Sequence, residues 1–122
     1  MNHGVGVLIA DDEPGMRETL VDILADYGYR VVAAPDGDAA LAAIRRDPFH
    51  VVVMDIRMPG RDGVAVLREV GSPPPRVILM TAYASPEMLA QAREANAFAV
   101  VKKPFNVPEL LELVAGAAEA AA

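Results

Sequence analysis

Hydrophobic positions along this chain switch repeatedly between two patterns. Short apolar runs occur at Val5–Ala10, Val51–Met54, Val77–Met80 and Ala97–Val101, with a weaker one at Arg30–Ala34. Runs of this length bounded by turn signals read as strands buried on both faces, the usual state of a parallel sheet. Between them, apolar residues recur every three or four positions. Met16, Leu20, Ile23, Leu24 and Tyr27 predict a first helix that opens near Pro14 and stops at Gly28. Ala40, Leu41 and Ile44 predict a second, entered through Asp36-Gly37-Asp38 and ended by Asp47-Pro48. A third runs from about Gly63 to Val70 and meets the breaker Gly71–Pro75. Ser85-Pro86 supplies a cap and first turn for a fourth. Asn106 with Glu109 has the spacing of a capping box for a fifth, whose buried side is Leu110, Leu111 and Val114. The alanine-rich end, 115–122, is expected to fray.

Strict alternation of five strands with five helices predicts an α/β fold: one parallel sheet with helices on both faces. Right-handed crossovers and short connections leave few topologies. A flavodoxin-like (βα)5 three-layer sandwich with strand order 2-1-3-4-5 is the expectation. The sequence carries no internal repeat, linker or second domain, so 1–122 reads as a single domain.

Composition narrows the function. A hydrophobic fraction of 53% in 122 residues supports a core and excludes a disordered chain. No apolar run reaches bilayer length, no secretory pattern opens the chain, and cysteine is absent. A cytoplasmic domain without membrane contact, disulfides or thiolate metal sites is expected. The net charge of −6 argues against direct nucleic-acid binding. Nine of the eleven cationic side chains are arginine, and the only lysines are the adjacent Lys102 and Lys103. A compact ammonium, rather than a planar fork, suits a point contact at that place.

The chemistry lies just past the end of each strand. The first gives Asp11, Asp12 and Glu13; the third Asp55, before the turn Met58-Pro59-Gly60; the fourth Thr81; the fifth Lys103. In the order 2-1-3-4-5 these strands are neighbours, so acids, a hydroxyl and an ammonium converge on one edge. Clustered carboxylates without histidine or cysteine favour Mg²⁺. A carboxylate beside a metal and a lysine is a candidate nucleophile toward phosphorus. Taken singly, each residue has a plainer reading. The acids cap the first helix, Thr81 is a turn residue, Asp62 caps the third helix, Met54, Met58 and Met80 pack, and His3 and His50 are bystanders. Joint placement of Asp12, Asp55, Thr81 and Lys103 at strand ends favours the site.

These motifs together resemble the receiver domain of bacterial two-component response regulators. The matching residues are Val7-Leu-Ile-Ala-Asp-Asp-Glu13, Asp36-Gly37, Met54-Asp-Ile-Arg-Met-Pro-Gly60, Asp62-Gly63, Met80-Thr-Ala82 and Lys103-Pro104-Phe105. The resemblance implies that Asp55 accepts phosphate from a histidine kinase or phosphotransfer protein. It implies Mg²⁺ held by Asp12 directly, Asp11 through water, Asp55 and the Arg57 carbonyl, and a cis Lys103-Pro104 bond. It further implies a non-turnover switch that signals to an effector or output domain through helix four, strand five and helix five, with a phosphorylation-linked dimer through that surface as one form. The family often has an aromatic residue three before the lysine. Here that residue is Val100, with Phe98 two earlier, expected on the same face, and Tyr83 two after Thr81 as another candidate switch residue. Arg57 and Tyr83 would flank the path of water to the nucleophile.

Two other function classes compete. A phosphorylation-independent interaction module would keep the fold without the chemistry. A Mg²⁺ phosphohydrolase of the haloacid dehalogenase type needs Asp-x-Asp after the first strand, where this chain has Asp11-Asp12-Glu13.

Overall fold

The computed structural model describes residues 4–71 and 74–121. The readings that touch His3, Ser72, Pro73 and Ala122 lie outside the described residues. The elements are β1 Gly6–Ala10, α1 Pro14–Asp26, β2 Arg30–Ala34, α2 Gly37–Arg46, β3 Val51–Asp55, α3 Gly63–Glu69, β4 Arg76–Thr81, α4 Pro86–Glu94, β5 Ala99–Lys102 and α5 Val107–Ala121. All five strands pair in parallel in the order β2-β1-β3-β4-β5.

Alternation along the strands splits the core in two. Leu8, Val52, Met54 and Leu79 face one side, where they pack with Leu41 of α2 and with Val66 and Leu67 of α3. Val7, Ile9, Val53, Ile78 and Met80 face the other, with Leu20 and Leu24 of α1 and Leu110 and Val114 of α5. β1 and β3 are buried on both faces, which explains their unbroken apolar sequence. Edge strand β2 carries exposed and half-buried positions, hence its weaker signal.

The helix starts follow from short polar side chains. Asp36, Asp62 and Ser85 each accept a hydrogen bond from the backbone N–H three residues on, at 2.7, 2.8 and 3.1 Å. Asn106 accepts from Glu109 N–H at 2.7 Å, and its side-chain amide reaches the Glu109 carboxylate at 3.4 Å. Each cap contributes about 1 kcal/mol.

Two expectations are corrected. β5 begins at Ala99, two residues later than its apolar run. Asn96 is left-handed at φ +66, and Ala97 N–H bonds back to Ala92 O at 3.0 Å, so 96–97 close α4 instead of extending the strand. Phe98 lies just before β5, with its N–H bonded to Val77 O of β4 at 2.7 Å. Its ring tip lies 3.8 Å from where a Cβ on Gly116 of α5 would be, whereas Val100 packs into the core on the α2–α3 side. The expected fraying from residue 115 also gives way to helix. α5 continues to Ala121, and Ala117 is fully buried against the sheet.

Candidate functional site

Asp55 is the last residue of β3, Thr81 of β4 and Lys102 of β5, and Asp11 follows β1 directly. The register aligns them, with Asp55 opposite Met80 and Thr81 opposite Lys102. Beyond the strand ends, Ile56 N–H bonds Met80 O at 2.8 Å and Lys103 N–H bonds Thr81 O at 2.7 Å. Sheet pairing thus holds the backbone of Asp11, whose N–H bonds Ala34 O at 3.2 Å, and of Asp55, Thr81 and Lys103.

The side chains meet at Lys103. Its ammonium donates to Asp55 Oδ2 at 2.7 Å and to Asp11 Oδ2 at 3.1 Å. Asp11 is fully buried and Asp55 nearly so. Burial acts to lower the lysine pKa, but the hydrogen bonds and charges of Asp55 and Asp11 outweigh it and hold the ammonium above its usual value. Lys103 therefore stays charged at neutral pH. Its neighbour Lys102 points outward and is exposed.

Other atoms fix the carboxylates. Asp55 Oδ1 accepts Arg57 N–H at 3.0 Å, and Asp11 Oδ1 accepts Glu13 N–H at 2.9 Å. Glu13 is the N-cap of α1 but makes no side-chain cap, and Asp12 is exposed at the mouth of the site. The acids after β1 are thus not simply a helix cap. Asp11, Asp12 and Asp55 each offer one oxygen within 4.8 Å of the others. One ammonium serves this set, and it bonds only two of the three. An all-oxygen donor set with one exposed, accessible carboxylate suits a hard divalent cation that keeps some of its waters.

Two glycines show why the loops follow this path. A Cβ on Gly63 would lie 2.7 Å from the carbonyl oxygen of Asp55, and one on Gly37 would lie 1.9 Å from that of Arg61. The Asp-Gly pairs at 36–37 and 62–63 therefore both cap a helix and let the β3–α3 loop pass closely. Arg61 ties this loop to Asp38 of α2, at 2.8 Å, and to Glu69 of α3.

Thr81 reaches the site edge, but its hydroxyl is engaged elsewhere. It donates to Tyr83 O at 2.7 Å, accepts Tyr83 N–H at 3.0 Å and lies 3.5 Å from the Met88 sulfur. Tyr83 is 66% exposed, and the Arg57 guanidinium sits over its ring at 5.1 Å. The Arg57 carbonyl accepts no hydrogen bond from the described residues. The Lys103-Pro104 peptide is cis. Asp62 caps α3 and is not part of the cluster.

Sequence reading missed Arg17, whose guanidinium donates to the carbonyl of Asp11 at 2.7 Å from the first turns of α1. The only signal was a cation in the first turns of a helix that starts next to three acids. It also passed over His50, whose Nδ1 accepts Gly6 N–H at 3.1 Å at the opposite edge of the sheet.

Comparison with known proteins agrees with this geometry. The family model described as response regulator receiver domain matches residues 7–115. The chain is 37% identical over 111 residues to response regulator protein FleR of Pseudomonas aeruginosa, covering 89% of this chain and 24% of that protein. It is 33% identical over 110 residues to sporulation initiation phosphotransferase F of Bacillus subtilis, covering 88% and 89%. A CheY-like receiver domain structure from Methanospirillum hungatei matches with a TM-score of 0.92 at 29% identity, over 96% of this chain and 95% of that one. The chain spans 24% of FleR and 54% of the transcriptional regulatory protein PdtaR of Mycobacterium tuberculosis. With its strand order, its acid cluster and a family match over almost its whole length, this chain belongs to the response regulator receiver domains, a family of signalling domains.

Proposed function

We propose that this domain is a phosphoacceptor switch in which Asp55 takes a phosphoryl group from the phosphohistidine of a histidine kinase or phosphotransfer protein. The observation that carries the reading is the buried Asp55 carboxylate, held 2.7 Å from the Lys103 ammonium beside Asp11 and Asp12. The carboxylate oxygen forms its bond to phosphorus as the phosphorus–nitrogen bond of the donor breaks. Lys103 balances the negative charge on the phosphoryl oxygens. Asp11, Asp12, Asp55 and the Arg57 carbonyl would hold Mg²⁺, which when bound neutralises phosphoryl charge. The name of the Bacillus relative, a phosphotransferase, supports a phosphoryl-transfer role.

Thr81 supplies the route outward. For its hydroxyl to donate to a phosphoryl oxygen it must leave Tyr83 O, since a hydroxyl has one proton to give. Release of Tyr83 frees the loop into α4 and so couples Asp55 to the α4–β5–α5 surface. That surface is where an effector, an output domain or a second copy would respond. Residues 1–122 act as one such unit, with Val100 of β5 and the flanking Phe98 and Pro104 as modulators.

The test is labelling by a small-molecule phosphodonor with Mg²⁺ present. The wild type is expected to take up about one phosphoryl group per chain and Asp55→Asn none, with an unchanged circular dichroism spectrum. Undiminished labelling of Asp55→Asn would overturn the assignment. No labelling of the wild type would favour a phosphorylation-independent module.

A further inference from the structure

The arginines of this chain divide by edge of the sheet. Near the Asp55 edge, Arg17 holds the Asp11 carbonyl, Arg57 covers Tyr83, and Arg61 bridges Asp38 and Glu69. At the opposite edge, Arg45, Arg68 and Arg76 are exposed and make no side-chain pairing with any described residue. Their placement follows from the fold. Arg45 lies in the last turn of α2, Arg68 in the last turn of α3, and Arg76 opens β4. In a parallel α/β unit, helix ends and strand starts come together.

These arginines rim two adjoining hollows of about 520 and 470 Å³ that share Gly71, Pro74 and Pro75. Arg45 lines the first, and Arg68 and Arg76 the second. Among the described residues the only acid in either lining is Asp47, and it is paired with Arg46 at 3.4 Å. His50 also lines the first hollow. Its Nδ1 accepts Gly6 N–H, so the neutral ring carries its hydrogen on Nε2 and has a donor to offer. A chain of net charge −6 thus presents a local positive patch over an apolar floor that includes Ile44 and the two prolines. Complementing the helix carbonyl ends accounts for Arg45 and Arg68 but not for Arg76, which is on no helix.

We propose that this edge is a docking surface for an acidic, extended segment of a partner protein. Its carboxylates pair with Arg45, Arg68 and Arg76, and its intervening apolar side chains rest on Ile44, Pro74 and Pro75. Charge complementarity selects the sign of the partner, and arginine forks match carboxylates in two-point geometry. The lining favours a peptide over a nucleic acid. Among the described lining residues the one phenylalanine, Phe49, has the Arg30 guanidinium over its ring at 5.3 Å, so that face is not open for a base to stack on. β3 separates this edge from Asp55 by roughly 17 Å, at about 3.3 Å per residue. Docking here is compatible with an occupied phosphoacceptor site, and the proposal stands independently of the phosphoacceptor reading.

The probe is a fluorescein-labelled peptide of alternating glutamate and leucine, titrated with the wild-type chain and followed by anisotropy. An oligothymidylate and a glutamine–leucine peptide run alongside. The glutamate peptide is expected to bind, and to weaken by about tenfold or more in Arg45→Glu/Arg68→Glu/Arg76→Glu. Arg93→Glu, outside the hollows, should bind as the wild type does. Amide shifts in the wild type, which need no variant, should cluster at Arg45, His50 and Arg76. Failure of the glutamate peptide to bind, equal binding by the folded triple variant, or shifts confined to the Asp55 edge would overturn the proposal. Tighter binding of oligothymidylate would do so in favour of nucleic acid. Self-association in sedimentation that the triple variant abolishes would do so in favour of a second copy.

Discussion

At the C-terminal edge of the sheet Asp11 and Asp55 are buried and share Lys103, whereas at the N-terminal edge Arg45, Arg68 and Arg76 stand in solvent without partners among the described residues. Both edges belong to the same five strands, but at the first the charges of opposite sign are paired, and at the second three like charges stand unpaired among the described residues. The difference is burial. A carboxylate out of water is held only where donors surround it, and every buried side-chain polar atom among the described residues has a hydrogen-bond partner. The C-terminal edge is therefore a preorganised site whose geometry is set by backbone and by Lys103. The N-terminal edge keeps its charges hydrated, where each single pair is worth little and only several together select a partner.

The sharpest way to break this contrast is to disturb the backbone under Asp55. Gly63→Ala puts a Cβ 2.7 Å from Asp55 O, and that backbone cannot yield without moving the carboxylate. A loss of about 3 kcal/mol in urea unfolding is expected, the upper end for overpacking. Phosphodonor labelling should fall with it. An alanine variant of wild-type stability would show that the loop relaxes freely and that the site is less rigid than its contacts imply.

Next come the two lysines. Lys103→Arg replaces a point charge between two buried carboxylates with a wider fork. It is expected to weaken the phosphodonor-induced population shift, followed by amide shifts in α4 and α5, by roughly a hundredfold, or about 2.7 kcal/mol. The exposed Lys102→Arg should be silent. Equal behaviour of the two would place their roles outside the Asp11–Asp55 contact.

Removal of the exposed acid tests the cation. Asp12→Ala takes one of three clustered oxygens away. Mg²⁺ affinity, by calorimetry, is expected to fall about thirtyfold, or ~2 kcal/mol. Unchanged affinity would make Asp12 a bystander of the Lys103 pair.

The smallest effect is at the exposed rim of the site. Arg57 and Tyr83 stack on each other 5.1 Å apart, beside Asp55 and Thr81. Loss of both in Arg57→Ala/Tyr83→Ala should speed spontaneous loss of phosphate by about tenfold, or ~1.4 kcal/mol of barrier. An unchanged decay rate, with Mg²⁺ present and no phosphatase, would mean that the stacked pair does not shield the nucleophile.

Much of this molecule was legible in the chain. Unbroken valine-rich runs mean strands covered on both faces, and strict alternation with helices leaves the order β2-β1-β3-β4-β5 as the natural solution. Strand ends then bring Asp11, Asp55, Thr81 and Lys103 to one edge without further information. Caps such as Asp62 and Ser85 are local, because side chain and backbone N–H lie three residues apart. What the chain by itself left open depends on groups distant in sequence. The Thr81 hydroxyl turns to Tyr83 and not to Asp55, a choice among rotamers that the packing of the β4–α4 loop decides. Phe98 meets Gly116 because α4 closes through Asn96 before β5 begins, which an apolar run cannot reveal. Arg17 finds a carbonyl and His50 an amide whose positions exist only once β1 lies against its neighbours. The three exposed arginines, 23 and 8 positions apart in sequence, become one surface only when helix ends and a strand start are brought to a common edge.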